Sequence, residues 1–102
     1  MDQAWPLISL FNFSVNLDLI LNLFKEELTP RWYECGLVVG VPKEVMDTYL
    51  GCPSDQCLIE VLDYWLRHHP GQLTWKEVAQ ALRGMKLYQL AEKALQVYTT
   101  GE

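Results

Sequence analysis

The chain is poor in residues that carry chemistry. It has two histidines, His68 and His69, side by side. Consecutive positions on a helix point in different directions, so the pair is badly placed to share one metal ion. At a helix end they suit hydrogen bonding to the last free carbonyls instead. Three cysteines, Cys35, Cys52 and Cys57, are too few and of the wrong parity for a disulfide scaffold, and no second pair follows Cys52 and Cys57 at zinc-ligand spacing. Three reduced thiols are expected, with Cys35 and Cys57 as small apolar fillers on helices, which points to a cytoplasmic setting. Glycine is sparse as well: Gly36 and Gly40 lie four apart in a helical pattern, not in a phosphate-binding strand-to-helix turn. No nucleophile stands beside a partner base. The carboxylates Glu26, Glu27, Glu34, Glu44, Asp47, Glu60 and Asp63 are scattered, mostly opposite apolar stripes. The expectation is no catalytic residue, cofactor, metal or small-molecule substrate, and no enzyme.

Positive charge is also scarce. Eight basic residues against thirteen acidic ones give a net charge of −5, the wrong sign for displacing counterions from nucleic-acid phosphates. The apolar stretch from Leu7 to Phe24 is interrupted by Asn12, Ser14, Asn16, Asp18 and Asn22. A charge near the centre of a span costs about 2.5–3.5 kcal/mol, so no membrane insertion is expected. The acidic start, Met1 to Pro6, lacks the basic region of a secretory signal. No internal repeat, low-complexity run or Gly/Ser linker divides the 102 residues, a length suited to one domain.

What the sequence does have is apolar residues, half of the chain, arranged at helical spacing. Leu58, Val61, Leu62, Trp65 and Leu66 fall at i, i+3, i+4, i+7 and i+8. Ser54 is the expected N-cap of that helix, Asp55 favours its dipole, and Pro70-Gly71 stops it. Thr74 and Glu77 form a capping box ahead of Trp75, Val78, Ala79 and Leu82, closed at Gly84. Leu87, Leu90, Ala91, Ala94, Leu95 and Tyr98 make a third stripe. Earlier, Thr29-Pro30 reads as N-cap and first helical residue of a helix carrying Trp32, Cys35, Gly36 and Val39, with Gly40 at its left-handed end. Pro42 restarts a helix with Val45, Met46 and Tyr49 that ends near Gly51. Mid-helix glycine costs about 1 kcal/mol relative to alanine, so Gly36 implies close approach by a neighbouring helix backbone. Phe11 to Leu19 alternates like a half-buried strand, yet Leu17, Ile20, Leu21, Phe24 and Leu28 keep helical spacing and no partner strand exists; a helix over about residues 16–25 is expected. That makes six helices. Trp32, Trp65 and Trp75 sit on apolar stripes and are expected in the core. Trp5 lies in an apolar run outside any clear helix, either a strap over the bundle or part of an interface.

The run from Trp32 to Pro42 followed by Val45 and Met46 resembles helices two and three of a death domain. Cys57 to Leu66 is similar to that family's helix four, with Trp65 as its core tryptophan. Thr74 to Val78 with Ala81 and Leu82 resembles helix five, and Leu90 to Lys93 the last helix. The order and spacing of these motifs over residues 16–98 carry the resemblance; residues 1–15 stand as an apolar extension without counterpart, and 99–102 as a tail. Trp65-Leu66 and Thr74-Trp75 favour the death-domain branch over the related caspase-recruitment and death-effector branches.

The resemblance implies an all-α, six-helix antiparallel bundle of Greek-key topology that assembles with other death-domain proteins in apoptotic or innate-immune signalling. Three asymmetric contacts recur in that family: helix two against helices one and four, the end of helix four against the loop before helix six, and helix three against neighbouring loops. Carried onto this chain, they would use Arg31 and Glu34 on helix two, and Lys43, Glu44 and Asp47 on helix three. Arg67, His68 and His69 would serve at the end of helix four, and Arg83 and Lys86 before helix six. The short connection from Arg83 to Leu87 would shrink the second surface. The rival reading is a nucleic-acid binder using the helix pair around Pro70 as a helix-turn-helix, against which the net charge speaks.

Overall fold

A computed structural model describes residues 15–100, with side chains described as far as Gln96. The Trp5 run, the alternation as far as Ser14 and the last two residues of the expected tail thus fall outside the described residues, and from Leu17 the alternating segment is helical. Among the described residues every regular element is helical and none is a strand. We number the helices α1 (Leu17–Leu28), α2 (Trp32–Val39), α3 (Lys43–Asp47), α4 (Ser54–His68), α5 (Trp75–Gly84) and α6 (Tyr88–Thr100), with a 3-10 turn at Thr29–Arg31 between α1 and α2. Five of these are two turns or longer, and α3 is little more than one. No helix among the described residues is long and apolar enough to cross a membrane. Contacts divide the chain into two units, one of residues 16–70 and one that includes residues 71–100.

In the unit 16–70, Asn16 caps α1: its side-chain oxygen accepts from the Leu19 N–H at 2.9 Å. Ile20, Phe24 and Leu28 then recur every fourth residue and are all buried. The helix runs past Lys25 to Leu28, and Thr29 is not the N-cap of the next one. Thr29 stays in the right-handed helical region and its hydroxyl donates to the Lys25 carbonyl at 2.6 Å, so it closes α1. Pro30, with no N–H to satisfy, opens the 3-10 turn that leads into α2. At the other end of α2, Gly40 adopts φ +92. Its N–H bonds the Leu37 carbonyl at 3.3 Å and the next N–H, of Val41, bonds the Gly36 carbonyl at 2.9 Å, a Schellman closure that glycine enters without Cβ strain.

Gly36 has a clear reason to be glycine. A Cβ there would collide with the Met46 sulfur and crowd Val61 Cγ2 at 3.3 Å. The approaching group is a side chain from α3, rather than the helix backbone that the sequence suggested. Met46 is fully enclosed, as are Leu58, Val61 and Leu62 on α4, and α2 packs along α4. Beyond Asp47 the chain continues to Gly51 as overlapping turns, with Thr48, Tyr49 and Leu50 N–H groups each reaching back three residues. Pro53, and not Ser54, caps α4: it is extended and its carbonyl receives the Cys57 N–H at 2.9 Å. Helix α4 stops at His69, held extended because Pro70 disfavours helical backbone at the residue before it.

In the unit that includes residues 71–100, the capping box forms as expected. Thr74 Oγ1 accepts from the Glu77 N–H at 3.3 Å, and Glu77 Oε2 accepts from the Thr74 N–H at 3.1 Å. Trp75, Val78, Ala79 and Leu82 are buried. Ala91 and Ala94, both fully enclosed, give α6 a small-residue stripe in an element that packs against α5. The Trp75 ring is completely buried, and its indole N–H finds no acceptor among the described residues. An unmet donor costs about 1–3 kcal/mol, but burying a ring of about 200 Å² returns about 5 kcal/mol, so apolar burial wins. Trp32 and Trp65 are only half-buried, which corrects their placement in the core. Among the described residues no polar or charged side chain is buried.

Gly36→Ala sets a gain of about 1 kcal/mol in helix propensity against an overpacking cost of about 1–3 kcal/mol. The expected net loss is about 1 kcal/mol in urea unfolding. Met46→Ala should cost less in the Gly36→Ala background than in the native one, by at least about 0.5 kcal/mol of coupling. Strict additivity would show that the two side chains do not compete for this space.

Candidate interaction surface

The apolar interior leaves chemistry to the helix exteriors, and the unit 16–70 carries most of it. At the start of α2, Arg31 reaches over one turn to Glu34. Its Nε and Nη2 donate to the two carboxylate oxygens at 2.9 Å each, a bidentate fork that fixes both side chains. On the same helix Leu37 is 54% exposed and Val38 38% exposed. These two apolar residues were not singled out by the sequence reading. They escape a periodicity analysis because the segment from Leu37 to Val39 is apolar without a break, so spacing does not say which members face outward. Leu50, in the turns before α4, is 57% exposed.

Lys43, Glu44 and Asp47 are all exposed on α3, in a single turn that presents a cation and two anions together. Near the end of α4, side chains pair along the helix at i, i+4. Arg67 donates through both Nε and Nη2 to Asp63 Oδ2, and this bonded carboxylate raises the Arg67 pKa. His68 stacks on Tyr64, ring centroids 3.9 Å apart, while its Nδ1 lies 3.0 Å from the Tyr64 carbonyl oxygen. The Tyr64 carbonyl sits four residues before His68 within the helix, and is not one of the last free carbonyls that the sequence suggests for this histidine. Together with Tyr49 and Glu60 these four side chains line a shallow groove of about 190 Å³. Partial burial, and then the negative charge of Glu60, push the Tyr49 phenol pKa upward. A second groove of about 140 Å³ is lined by Val39, Gly40, Tyr64, Trp65, His68, His69 and Pro70. His68 borders both.

Of the ten expected partner-binding residues, then, Arg31 and Glu34 are joined, and Arg67 and His68 share a groove. His68 and His69 share the neighbouring one. Tyr49, Glu60, Asp63 and Tyr64 are surface-forming residues that went unassigned, although the i, i+4 spacing of Asp63 to Arg67 and of Tyr64 to His68 was a readable signal. Arg83 and Lys86 belong to the other unit and are exposed. Helix α5 ends at Gly84 as expected, and Lys86 takes the left-handed position two residues on, at φ +64. The Leu87 N–H closes this end onto the Leu82 carbonyl at 2.9 Å.

Among the described residues no group of three or more His, Cys, Asp or Glu side chains is arranged to hold a metal ion. Comparison of the chain with protein-family profiles, with curated proteins and with solved structures finds no match.

Two expected outcomes follow from these placements. A side chain in the left-handed region costs about 1 kcal/mol, so Lys86→Gly should stabilise the chain by about that amount in thermal or urea unfolding. A neutral or destabilising result would mean that the lysine side chain contributes something that offsets the strain. For Cys35, burial, with Glu34 adding to it, raises the thiol pKa from 9.0 to about 12. The folded chain therefore keeps a proton that the unfolded chain releases, and the associated stability is complete below about pH 9 and lost as pH rises towards 12. Cys35→Ala should flatten that part of the alkaline stability profile, measured by urea unfolding at stepped pH.

Proposed function

We propose that this chain is a death-domain-like interaction module that scaffolds signalling assemblies by binding domains of its own kind and performs no chemistry itself. The reading includes the finer architecture of that family, a six-helix antiparallel bundle of Greek-key topology, and a role in apoptotic or innate-immune signalling. It rests on the order of the death-domain-like motifs along the chain and on the succession of six helical segments over the same residues.

The observation that carries it is the exterior of α2. Leu37 and Val38 are exposed on the helix whose first turn holds the Arg31–Glu34 fork. An exposed apolar pair beside a fixed, two-signed charge pair suits a protein partner: the apolar atoms lose water on contact, and the charges select a complementary face. The turn at Lys43, Glu44 and Asp47 and the groove beside Arg67 and His68 offer further charged faces. Asymmetric faces of this kind build open or ring-like assemblies when one copy's face meets a different face of the next.

Light scattering across a concentration series tests this. The native chain is expected to grow in mean mass with concentration, alone or with a second death-domain protein. Leu37→Asp, Asp47→Lys and Arg67→Glu should each weaken assembly by roughly tenfold while leaving the helical circular-dichroism signal and melting midpoint nearly unchanged. Unaltered assembly in all three folded variants would overturn the assignment of these faces. Strong, salt-sensitive retention on heparin by a chain that never associates would favour the nucleic-acid reading instead.

A further inference from the structure

We propose that Cys52 and Cys57 form a peroxide-responsive thiol pair, in which Cys52 is oxidised first and Cys57 closes on it to make an intramolecular disulfide across the start of α4. With Pro53 as the cap, Cys52 occupies the position just before the cap and Cys57 the fourth position of the helix. Those two positions are the ones whose side chains meet in a hydrophobic staple. The geometry agrees: the Cys57 sulfur lies 3.4 Å from the Cys52 carbonyl oxygen and 3.2 Å from that of Tyr49. The buried thiol thus points back at residue 52. Cys52 itself is exposed and open to a dissolved oxidant. Burial, with the nearby Cys52 as the next cause, raises the Cys57 pKa. Cys57 is therefore a poor first target but lies beside Cys52. Cys35 is buried on α2, and its thiol is pushed up to about 12, which keeps it out of the reaction.

The chemistry balances with hydrogen peroxide as the only co-reactant. The Cys52 thiolate attacks one peroxide oxygen, the O–O bond breaks, and the second oxygen leaves as water after taking a proton. Cys52 is now a sulfenic acid, oxidised by two electrons. The Cys57 sulfur attacks the Cys52 sulfur, the S–S bond forms, the S–O bond breaks, and the hydroxyl leaves as water with the Cys57 proton. Two thiols and one peroxide become one disulfide and two waters. Closure withdraws the Cys57 S–H from the Tyr49 carbonyl, and Tyr49 lines the groove beside Arg67 and His68. Oxidation therefore acts next to a face of the proposed assembly, although the thiol chemistry stands without that assembly.

The test treats the folded chain with hydrogen peroxide, blocks remaining thiols with an alkylating agent during unfolding, and maps tryptic peptides. Cleavage after Lys43 and Arg67 leaves Cys52 and Cys57 on one peptide and Cys35 on another. The expected product is the 44–67 peptide lighter by two hydrogens and unalkylated, with Cys35 alkylated. In Cys52→Ser, oxidation of Cys57 should fall by about tenfold or more. In Cys57→Ser, the reaction should stop at a Cys52 sulfenic acid that a dimedone-type probe captures. Two results would overturn the proposal: native chains joined through Cys52, or carrying a sulfinic acid there, while Cys57 remains free for alkylation; or Cys57 oxidising as fast in Cys52→Ser as in the native chain. Neither result depends on whether the chain self-associates, so this reading and the assembly reading fail separately.

Discussion

The unit 16–70 depends on a missing side chain. Helix α2 packs against α4, and Met46 of the very short α3 fills the space that a Cβ on residue 36 would occupy. An α3 of five residues cannot hold itself together by its own hydrogen bonds, since isolated helices need roughly 12–15 residues to be even marginal. Its stability comes from outside, through the enclosed Met46 seated against Gly36 of α2. Methionine suits the role because its unbranched, polarisable chain fits an irregular gap. The placement of Lys43, Glu44 and Asp47 on the surface follows from that anchor.

Where the sequence was legible, the local signal and the packing agreed. The capping box at Thr74 and Glu77, the left-handed Gly40 and the stripe of Leu58, Val61 and Leu62, whose further members Trp65 and Leu66 are only half-buried, all express a constraint contained within a few residues. It failed where two neighbouring elements compete for one residue. Thr29 followed by proline has the chemistry of an N-cap, but its hydroxyl serves the end of α1, since the Lys25 carbonyl is within reach and the chain turns without leaving helical backbone. Ser54 likewise has cap chemistry, but Pro53 before it already has the extended conformation a cap requires. At the end of α5, Gly84 is the last helical residue, as its place after the apolar stripe suggests, but the left-handed residue two positions on is Lys86, set by where the Leu87 N–H meets the Leu82 carbonyl, which composition does not reveal.

The candidate surface was legible in part for the same reason. Exposed charges at helix ends are easy to locate, and Arg31, Glu34, Lys43, Glu44, Asp47 and Arg67 do lie on helix exteriors or their edges. Exposure of Leu37, Val38 and Leu50 was hidden, because an apolar residue in an apolar segment carries no mark of the face it takes. The half-burial of Trp32 and Trp65 was hidden too. A large ring satisfies a helical stripe whether it is enclosed or lies along the edge of a groove, and periodicity alone does not distinguish the two.

The pairing of charges along the helices bears on how any partner would be held. Arg31 is already engaged by Glu34, and Arg67 by Asp63, so a partner carboxylate gains little new Coulomb energy from either cation unless it displaces a bond already made. Exposed pairs of this type are worth about 0–1 kcal/mol to the fold, but their forks hold the side chains in set positions, which lowers the entropy lost on docking. Affinity on such a surface has to come from apolar area, and Leu37, Val38 and Leu50 are where the unit exposes it. The charged pairs then act mainly by exclusion. A face that brings an unpaired like charge against Glu34 or Arg67 is rejected at a cost larger than anything the correct face gains there. On the proposed reading, these residues divide the labour between an apolar contact that would bind and fixed ion pairs that would discriminate.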